Sequence, residues 1–309
     1  MTKGKKNSEQ RTASVHSKLE ARSSKLPFVF FGTPELAACF LDALEQKGYV
    51  PSLIVTTPDV AKGRGMVISP PPVKTWAKSR GIPVLQPSKL DSDFCYKLQA
   101  TSYKLFIVIY YGKIIPRDVL SMPKHGTINI HFSLLPRWKG TSPIRASILN
   151  DDKKAGISLV LMDEKIDHGS IIAQKELHTP EWPPSASALE VQATDESAEL
   201  LGQVILPWVR GDIEAREQNH DLETTCPKLE KADGLIHLSD DPYKNLLKIR
   251  AFDSTIGTHT FFLRGTKKLR VQILDAHMEG SALVIDTVKP EGKRAMRYEE
   301  FLKSGARPV

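Results

Sequence analysis

The stretch Leu105-Phe-Ile-Val-Ile-Tyr110 is a continuous apolar run, and it predicts a strand that is buried on both faces. Such strands belong to the middle of parallel sheets, whereas strands with one solvent face alternate apolar and polar residues. A second run of this kind, Phe28-Val-Phe-Phe31, precedes a helical pattern over 36–46. Pro34 suits the first turn of that helix, and Thr33 is predicted to cap it.

The same alternation of strand and helix continues along the chain. Apolar runs at 53–56, 82–85 and 126–131 predict further strands, and 73–80 has helical spacing. This βαβ pattern predicts an α/β fold, a Rossmann-like doubly wound, mostly parallel sheet with its ligand site at the carboxyl ends of the strands. Gly32 does not begin a G-x-G-x-x-G sequence, and the chain has no Walker loop, so nothing indicates a dinucleotide.

The second half of the chain has a different pattern. Residues 156–162 and 170–177 predict a β-hairpin, and a long helix over 185–209 follows it. Short strands near 234–238, 258–263, 269–275 and 281–287, with a helix near 242–250, suggest a small OB-like β-barrel domain. We therefore divide the chain into a basic disordered tail, a catalytic domain, a linker and an OB-like domain: 1–26, 27–210, 211–225 and 226–309.

The charge of the chain is unevenly placed. Of the formal +7 over 309 residues, the tail 1–26 carries seven Lys or Arg against two Asp or Glu, and 226–309 carries fifteen against eleven. A polyanion such as tRNA suits basic ends around a near-neutral body better than a small metabolite does. Three well-separated cysteines, and no apolar run long enough for a bilayer, predict a cytoplasmic protein without membrane contact. Glu9 and Glu20 disfavour the alternative, an organellar transit peptide.

Two polar residues stand close to the end of the strand at 126–131. Asn129 and His131 are two apart, so on a strand they point to the same side. An amide donor beside an imidazole suits a reaction in which negative charge develops on a carbonyl oxygen. Each residue alone is more often structural than catalytic, because buried polar groups usually find a backbone partner.

The loop from Pro58 to Pro72 is rich in proline, glycine and basic residues. It is too long for a plain connection, and loops of that length are often functional. With its neighbours it contains Lys62, Arg64 and Lys74, and a guanidinium such as that of Arg64 can bind phosphate and stack on bases. A solvated, flexible loop is the alternative interpretation.

Over nearly all of 27–309 the chain resembles the methionyl-tRNA formyltransferases. The matching elements are Phe31-Gly-Thr-Pro-Glu35, Gly63-Arg-Gly65, Ser69-Pro-Pro-Pro-Val-Lys74, Ile82-Pro-Val-Leu-Gln-Pro87, Asn129-x-His-x-Ser-Leu-Leu-Pro136 with Gly140, Met162-Asp-x-x-x-Asp-x-Gly169, Lys231-x-Asp-Gly234, Arg250-Ala-Phe252 and Pro290-Glu-Gly-Lys-Arg294. The segment from Asn129 with its downstream Asp167 is specific to formyltransferases that use a folate donor. The basic loop and the C-terminal elements favour the tRNA enzyme among them.

The resemblance implies transfer of a formyl group from 10-formyltetrahydrofolate to the amino group of methionine on initiator tRNA, in a monomer that needs no metal. It implies three catalytic residues: Asn129, His131 and Asp167. It also implies a folate cavity lined by Tyr110, Tyr111, Gly112, Ile115, Ser133, Leu134, Leu135, Pro136, Gly140 and Asp163. The tRNA contacts that it implies are Lys62, Arg64, Lys74, Arg250, Lys267 and Lys268.

The chain departs from the family pattern in its C-terminal domain. Asp253-Ser-Thr-Ile-Gly257 replaces the usual Pro-Trp-Pro after Arg250-Ala-Phe252, and the domain is shortened near Ala282. Three other functions remain open from the residues: a sugar-nucleotide N-formyltransferase with the same donor, a hydrolase of 10-formyltetrahydrofolate, and a tRNA-binding protein without activity. An intact catalytic triad disfavours the last.

Overall fold

The computed structural model describes residues 26–62, 65–99 and 103–309. Most of the predicted basic tail, 1–25, lies outside these residues, as does Arg64. The helices are α1 Glu35–Gln46, α2 Pro72–Ser79, α3 Ser92–Gln99, α4 Arg117–Leu120, α5 Pro143–Leu149, α6 Ala186–Arg210, α7 Pro242–Ala251 and α8 Tyr298–Leu302. The strands are β1 Phe28–Phe31, β2 Leu53–Val55, β3 Val60–Lys62, β4 Val67–Ser69, β5 Val84–Leu85, β6 Leu105–Val108, β7 Thr127–His131, β8 Gly156–Leu161, β9 Ile171–Glu176, β10 Thr258–Arg264, β11 Lys267–Glu279, β12 Ala282–Pro290, β13 Met296–Arg297 and β14 Arg307–Pro308.

Among the described residues, seven strands form one sheet in the order β5-β2-β1-β6-β7-β8-β9. The pairs from β5 to β7 are parallel, and β8 runs antiparallel to β7. The predicted mixed α/β class with a mostly parallel central sheet is therefore confirmed. The antiparallel step places Ser158 opposite His131 in register.

The two runs that predicted this sheet lie at its centre. All four residues of β1 and all four of β6 are buried, and the two strands pair directly. Phe31 of β1 packs its ring against Phe106 and edge-on against Tyr111, each with centroids 5.4 Å apart. Each large apolar side chain buried in this way contributes about 1.5–3 kcal/mol to the free energy of unfolding.

Two local predictions near the N-terminus need correction. The loop 58–72 is not simply irregular, because β3 and β4 pair as a small antiparallel hairpin that exposes Val67 and Ile68. Thr33 does not cap α1, since Pro34 occupies the cap position without a side-chain hydrogen bond. The Thr33 hydroxyl donates instead to the carbonyl oxygen of Tyr111 at 3.4 Å, which ties the end of β1 to the chain after β6.

The chain divides into two compact units, each built from separated stretches. The first comprises the described residues up to His131 together with Ile157–Lys175 and Thr194–Gln218. The second comprises Phe132–Gly156, Glu176–Ala193 and Asn219–Val309. The predicted four-part division of the chain stays a prediction.

The second unit contains an antiparallel sheet of five described strands in the order β13-β12-β11-β10-β14. The predicted helix near 242–250 is confirmed as α7. The predicted strand near 234–238 is wrong: the chain makes a 3₁₀ turn over Lys231–Gly234 and only a single bridge, from Leu235 to His259. Within the described residues, no helix is both long and apolar enough to cross a membrane.

Candidate active site

Asn129 and His131 stand on β7, where the central sheet changes from parallel to antiparallel pairing. Asn129 Nδ2 donates a hydrogen bond to Asp167 Oδ1 at 3.2 Å. His131 Nδ1 lies 3.4 Å from Asp167 Oδ2, in a pair whose side chains are only 5% and 10% exposed. The two oxygens of one carboxylate therefore address the amide and the imidazole separately. The structure brings together the three side chains that the sequence had singled out.

Asp167 belongs to the loop between β8 and β9, and that loop is tightly constrained. Asp167 itself has φ +49°, in the left-handed region that few residues other than glycine adopt. At Gly169, an added Cβ would lie 1.8 Å from the carbonyl oxygen of Leu161, so no side chain fits there. The loop can place the carboxylate opposite β7 only because residue 169 is glycine.

A further residue at this loop was missed by sequence reasoning. The side chain of Gln218, from the predicted linker, donates hydrogen bonds to the backbone oxygens of Asp167 and Gly169. Its surroundings have no helical or strand periodicity, and the contact spans about fifty residues of chain. No local pattern in the sequence could have indicated it.

Asp163, a predicted folate residue, is exposed at the start of the same loop. Its carboxylate accepts a hydrogen bond from the backbone N–H of Lys165 at 2.8 Å and lies 2.7 Å from His168 Nδ1. It also lines a pocket of about 430 Å³ together with Arg117, Ser121 and others. This position leaves Asp163 accessible to a ligand.

Four of the predicted folate residues follow β6. Tyr111 and Ile115 are buried in the apolar cluster of the first unit, whereas Tyr110 is half-buried and Gly112 exposed. Burial raises the pKa of Tyr111 to about 12, so its phenol stays protonated at neutral pH. Tyr110 and Gly112 both have positive φ, which turns the chain sharply where β6 ends. The contact of these four residues with folate remains a prediction.

The other predicted folate residues belong to the second unit. Ser133 is buried and donates its hydroxyl to the carbonyl oxygen of Arg137 at 2.6 Å. Leu135 is also buried, while Leu134 and Pro136 are half-buried. Gly140 has φ +116° and adjoins Cys226, whose Sγ would lie 2.9 Å from an added Cβ. These residues are fixed by their own unit.

The predicted tRNA residues differ in their surroundings. Lys74 pairs with Asp59 at 2.7 Å, and the guanidinium of Arg250 is held by Asp275 and the Ala276 oxygen, each at 3.1 Å. Exposed positions are found for two lysines at the β10–β11 turn, Lys267 and Lys268. Arg64 and the side chain of Lys62 lie outside what the structure describes. All six roles remain predictions.

Within the described residues, no group of three or more His, Cys, Asp or Glu side chains could hold a metal ion. The site is therefore composed of an amide, an imidazole and a carboxylate. These groups can stabilise an oxyanion and move a proton without further components.

Comparison with known proteins places this site in a family. Residues 25–205, more than half of the chain, match the formyl transferase family. The methionyl-tRNA formyltransferase of Myxococcus xanthus is 34% identical over 302 residues, which cover 91% of this chain and 95% of that protein. The chain belongs to the methionyl-tRNA formyltransferases. As a member of that family, it is an enzyme of the formyltransferase class.

Solved structures share the fold at lower identity. The methionyl-tRNA formyltransferase from Clostridium thermocellum has a TM-score of 0.57 at 16% identity, covering 86% of this chain and 98% of that one. An N-formyltransferase from Helicobacter canadensis, solved with folinic acid and dTDP-3-aminofucose, has a TM-score of 0.56 at 20% identity, covering 74% and 81%. At these identities the likeness shows the fold alone.

Proposed function

We propose that the protein transfers the formyl group of 10-formyltetrahydrofolate to the α-amino group of methionyl initiator tRNA. The observation that carries the chemistry is the placement of Asn129 and His131 on the two oxygens of Asp167. The choice of acceptor is supported by relatives of nearly equal length that are methionyl-tRNA formyltransferases.

The amide of Asn129 is assigned to the oxyanion. Attack of the amine on the formyl carbon converts the carbonyl oxygen to an alkoxide, and a donor already in place stabilises that charge. One N–H of the amide is directed at Asp167, which orients the group. The second N–H is the donor that we assign to the reacting oxygen.

His131 and Asp167 are assigned to proton movement. Asp167 faces Nδ1 of the imidazole, so it orients the ring and stabilises its cation. The opposite ring nitrogen, Nε2, protonates the folate nitrogen as the bond to the formyl carbon breaks. The proton lost by the attacking amine passes to the Asp167–His131 pair, directly or through water.

Folate is proposed to lie against Tyr110, Tyr111, Gly112, Ile115, Asp163 and the segment Ser133–Pro136 with Gly140. The chemistry of the first unit fits a pterin ring, because Tyr111 combines an apolar surface with a hydroxyl that is buried and has no hydrogen-bond partner among the described residues. A buried hydroxyl usually finds a partner, and the polar edge of a pterin would supply one.

The C-terminal sheet is proposed to be an OB-like domain that contacts tRNA, in a monomeric, cytoplasmic enzyme of bacterial type. Five antiparallel strands are the number that an OB fold uses. The exposed Lys267 and Lys268 place two positive charges at one turn of this sheet, where phosphates can reach them.

One experiment separates the candidate functions. The purified protein is given 10-formyltetrahydrofolate with charged initiator tRNA, with an amino-sugar nucleotide, or with no acceptor. We expect formyl transfer to the tRNA alone. Transfer only to the sugar would establish the sugar N-formyltransferase instead, and folate hydrolysis without an acceptor would establish a hydrolase.

The basic loop and the tail are tested separately. Arg64→Ala should raise the KM for tRNA and leave folate binding intact, whereas Lys153→Ala, which removes an exposed charge elsewhere, should change neither. Deletion of 2–25 should raise the KM for tRNA and flatten its dependence on salt, since fewer counterions are released. Unchanged kinetics in Arg64→Ala would exclude that residue from the tRNA site.

A further inference from the structure

Gln218 is a buried polar residue that contacts the backbone of the catalytic loop. Its side chain is 7% exposed. Nε2 donates to the carbonyl oxygen of Asp167 at 2.9 Å and to that of Gly169 at 2.7 Å. Both N–H groups of the one amide are thus used on residues that flank His168, and they hold the two carbonyls together.

The loop has a reason to need this contact. Asp167 adopts φ +49°, and the left-handed region costs roughly 1–2 kcal/mol for a residue with a Cβ. In that conformation its carboxylate reaches Asn129 and His131. A relaxed backbone at Asp167 would turn the carboxylate away from one or both of them.

The segment that carries Gln218 is itself fixed to the sheet. Arg216 makes an antiparallel bridge to Ile171 at the start of β9, with backbone hydrogen bonds of 2.7 and 2.8 Å. Gln218 follows two residues later, on the same side of the extended chain. The amide is therefore mounted on the strand that closes the catalytic loop.

Stability alone does not explain the choice of glutamine. Its Oε1 is buried and has no hydrogen-bond partner among the described residues. A buried acceptor without a partner is unfavourable, so a residue selected only for packing would avoid it. The two N–H groups directed at the loop are what glutamine provides here.

We propose that Gln218 is a positioning residue that holds Asp167 in its left-handed conformation, so that the carboxylate can orient Asn129 and His131. The proposal rests on the proposed catalytic role of Asp167. It assigns to part of the predicted linker a function in the chemical step, beside any role in joining domains.

The first test removes the donors while keeping the length of the side chain. Gln218→Met should lower kcat about 10- to 100-fold, because a small misplacement of a catalytic group has effects of that size. The KM values for folate and tRNA should stay within about twofold, as expected when only transition-state interactions are lost. Gln192→Met is the matched control, since that glutamine donates to a single carbonyl, of His178, away from the loop. A kcat of Gln218→Met equal to that of the parent would overturn the proposal.

The second test asks whether Gln218 acts through Asp167. In an Asp167→Asn background, Gln218→Met should lower kcat by less than about twofold further, because residues that act as a unit are not additive. Full additivity of the two losses would show that Gln218 acts elsewhere.

The third test does not depend on activity. Gln218→Met should speed amide hydrogen exchange in the peptide covering 162–170, measured without substrate, while the Gln192→Met control should not. Unchanged exchange would overturn the proposal even if the enzyme formylates tRNA. If the parent transfers no formyl group to tRNA, the proposed function fails, and the exchange measurement still decides the contact.

Discussion

Asn129 and Asp167, thirty-eight residues apart, are joined by a hydrogen bond from the amide nitrogen Nδ2 to the carboxylate oxygen Oδ1 at 3.2 Å. A carboxylate only accepts hydrogen bonds, so the contact requires the nitrogen of the amide, and not its oxygen, to face Asp167. The direction of the second N–H is then fixed as well. Asp167 thus orients a donor as well as a base.

Asp167→Asn should lower kcat by about 10²–10³-fold, the usual cost of losing a preorganised charge-stabilising group. The neutral amide would no longer attract the cation of His131 or require the nitrogen of Asn129 to face it. Formyl transfer at saturating folate and tRNA measures the effect. Asp118→Asn, at an exposed carboxylate in α4, is the control and should keep the parent rate.

Gly169→Ala should disrupt the same loop through sterics alone. The new Cβ would lie 1.8 Å from the Leu161 oxygen, so the backbone must shift and carry Asp167 with it. We expect a large loss of kcat and a loss of roughly 1–3 kcal/mol in the free energy of unfolding. Gly65→Ala is matched to it, since its Cβ would meet only Val67 at 3.6 Å. A fully active Gly169→Ala enzyme would contradict this account of the loop.

Arg145→Ala should destabilise the second unit. The guanidinium, on α5, pairs with Glu190 of α6 and donates to Thr255 Oγ1 at 3.2 Å, with both charged side chains largely buried. Removing it leaves the Glu190 carboxylate without its partner, at a cost of about 3–5 kcal/mol. Denaturant unfolding measures this loss. Arg210→Ala breaks an exposed pair with Asp212 and should cost less than about 1 kcal/mol.

His259 should make stability depend on pH. Burial, with a contribution from Arg270, lowers the pKa of its imidazole in the folded protein. Below about pH 6.5 the unfolded chain therefore binds a proton that the folded chain resists, and stability falls as the pH decreases. The Tm of the parent should drop between about pH 7.5 and 5.5 by more than that of His259→Gln. Equal drops would show that His259 does not contribute.

The sheet could be predicted because its strands carry their own signature. The all-apolar runs of β1 and β6 need burial on both faces, wherever the rest of the chain lies. Thr33 was misjudged because its hydroxyl found a partner at Tyr111, far along the chain, instead of the helix beside it. Residues 234–238 looked like a strand from composition, but they form one bridge, at Leu235, since β10 already pairs with β11 and β14.

The site was predictable in part for the same reason. Two-residue spacing put Asn129 and His131 on one side of a strand, and the family motif supplied Asp167. Gln218 could not be found in this way, because a tertiary hydrogen bond to a backbone oxygen demands no particular residue on the receiving side. Any residues at 167 and 169 would present the same two carbonyls.

The interleaving of the two compact units has a consequence for synthesis on the ribosome. The first unit is not complete when β7 emerges, because its remaining stretches end only at Gln218. Domains tend to fold as they leave the ribosome, at roughly 5–20 residues per second. The nascent chain must therefore carry an unfinished central sheet, with the apolar surface of β7 uncovered on one edge, for several seconds. We expect this enzyme to engage chaperones that recognise exposed apolar strands during translation, and to do so until the segment bearing Gln218 has been made.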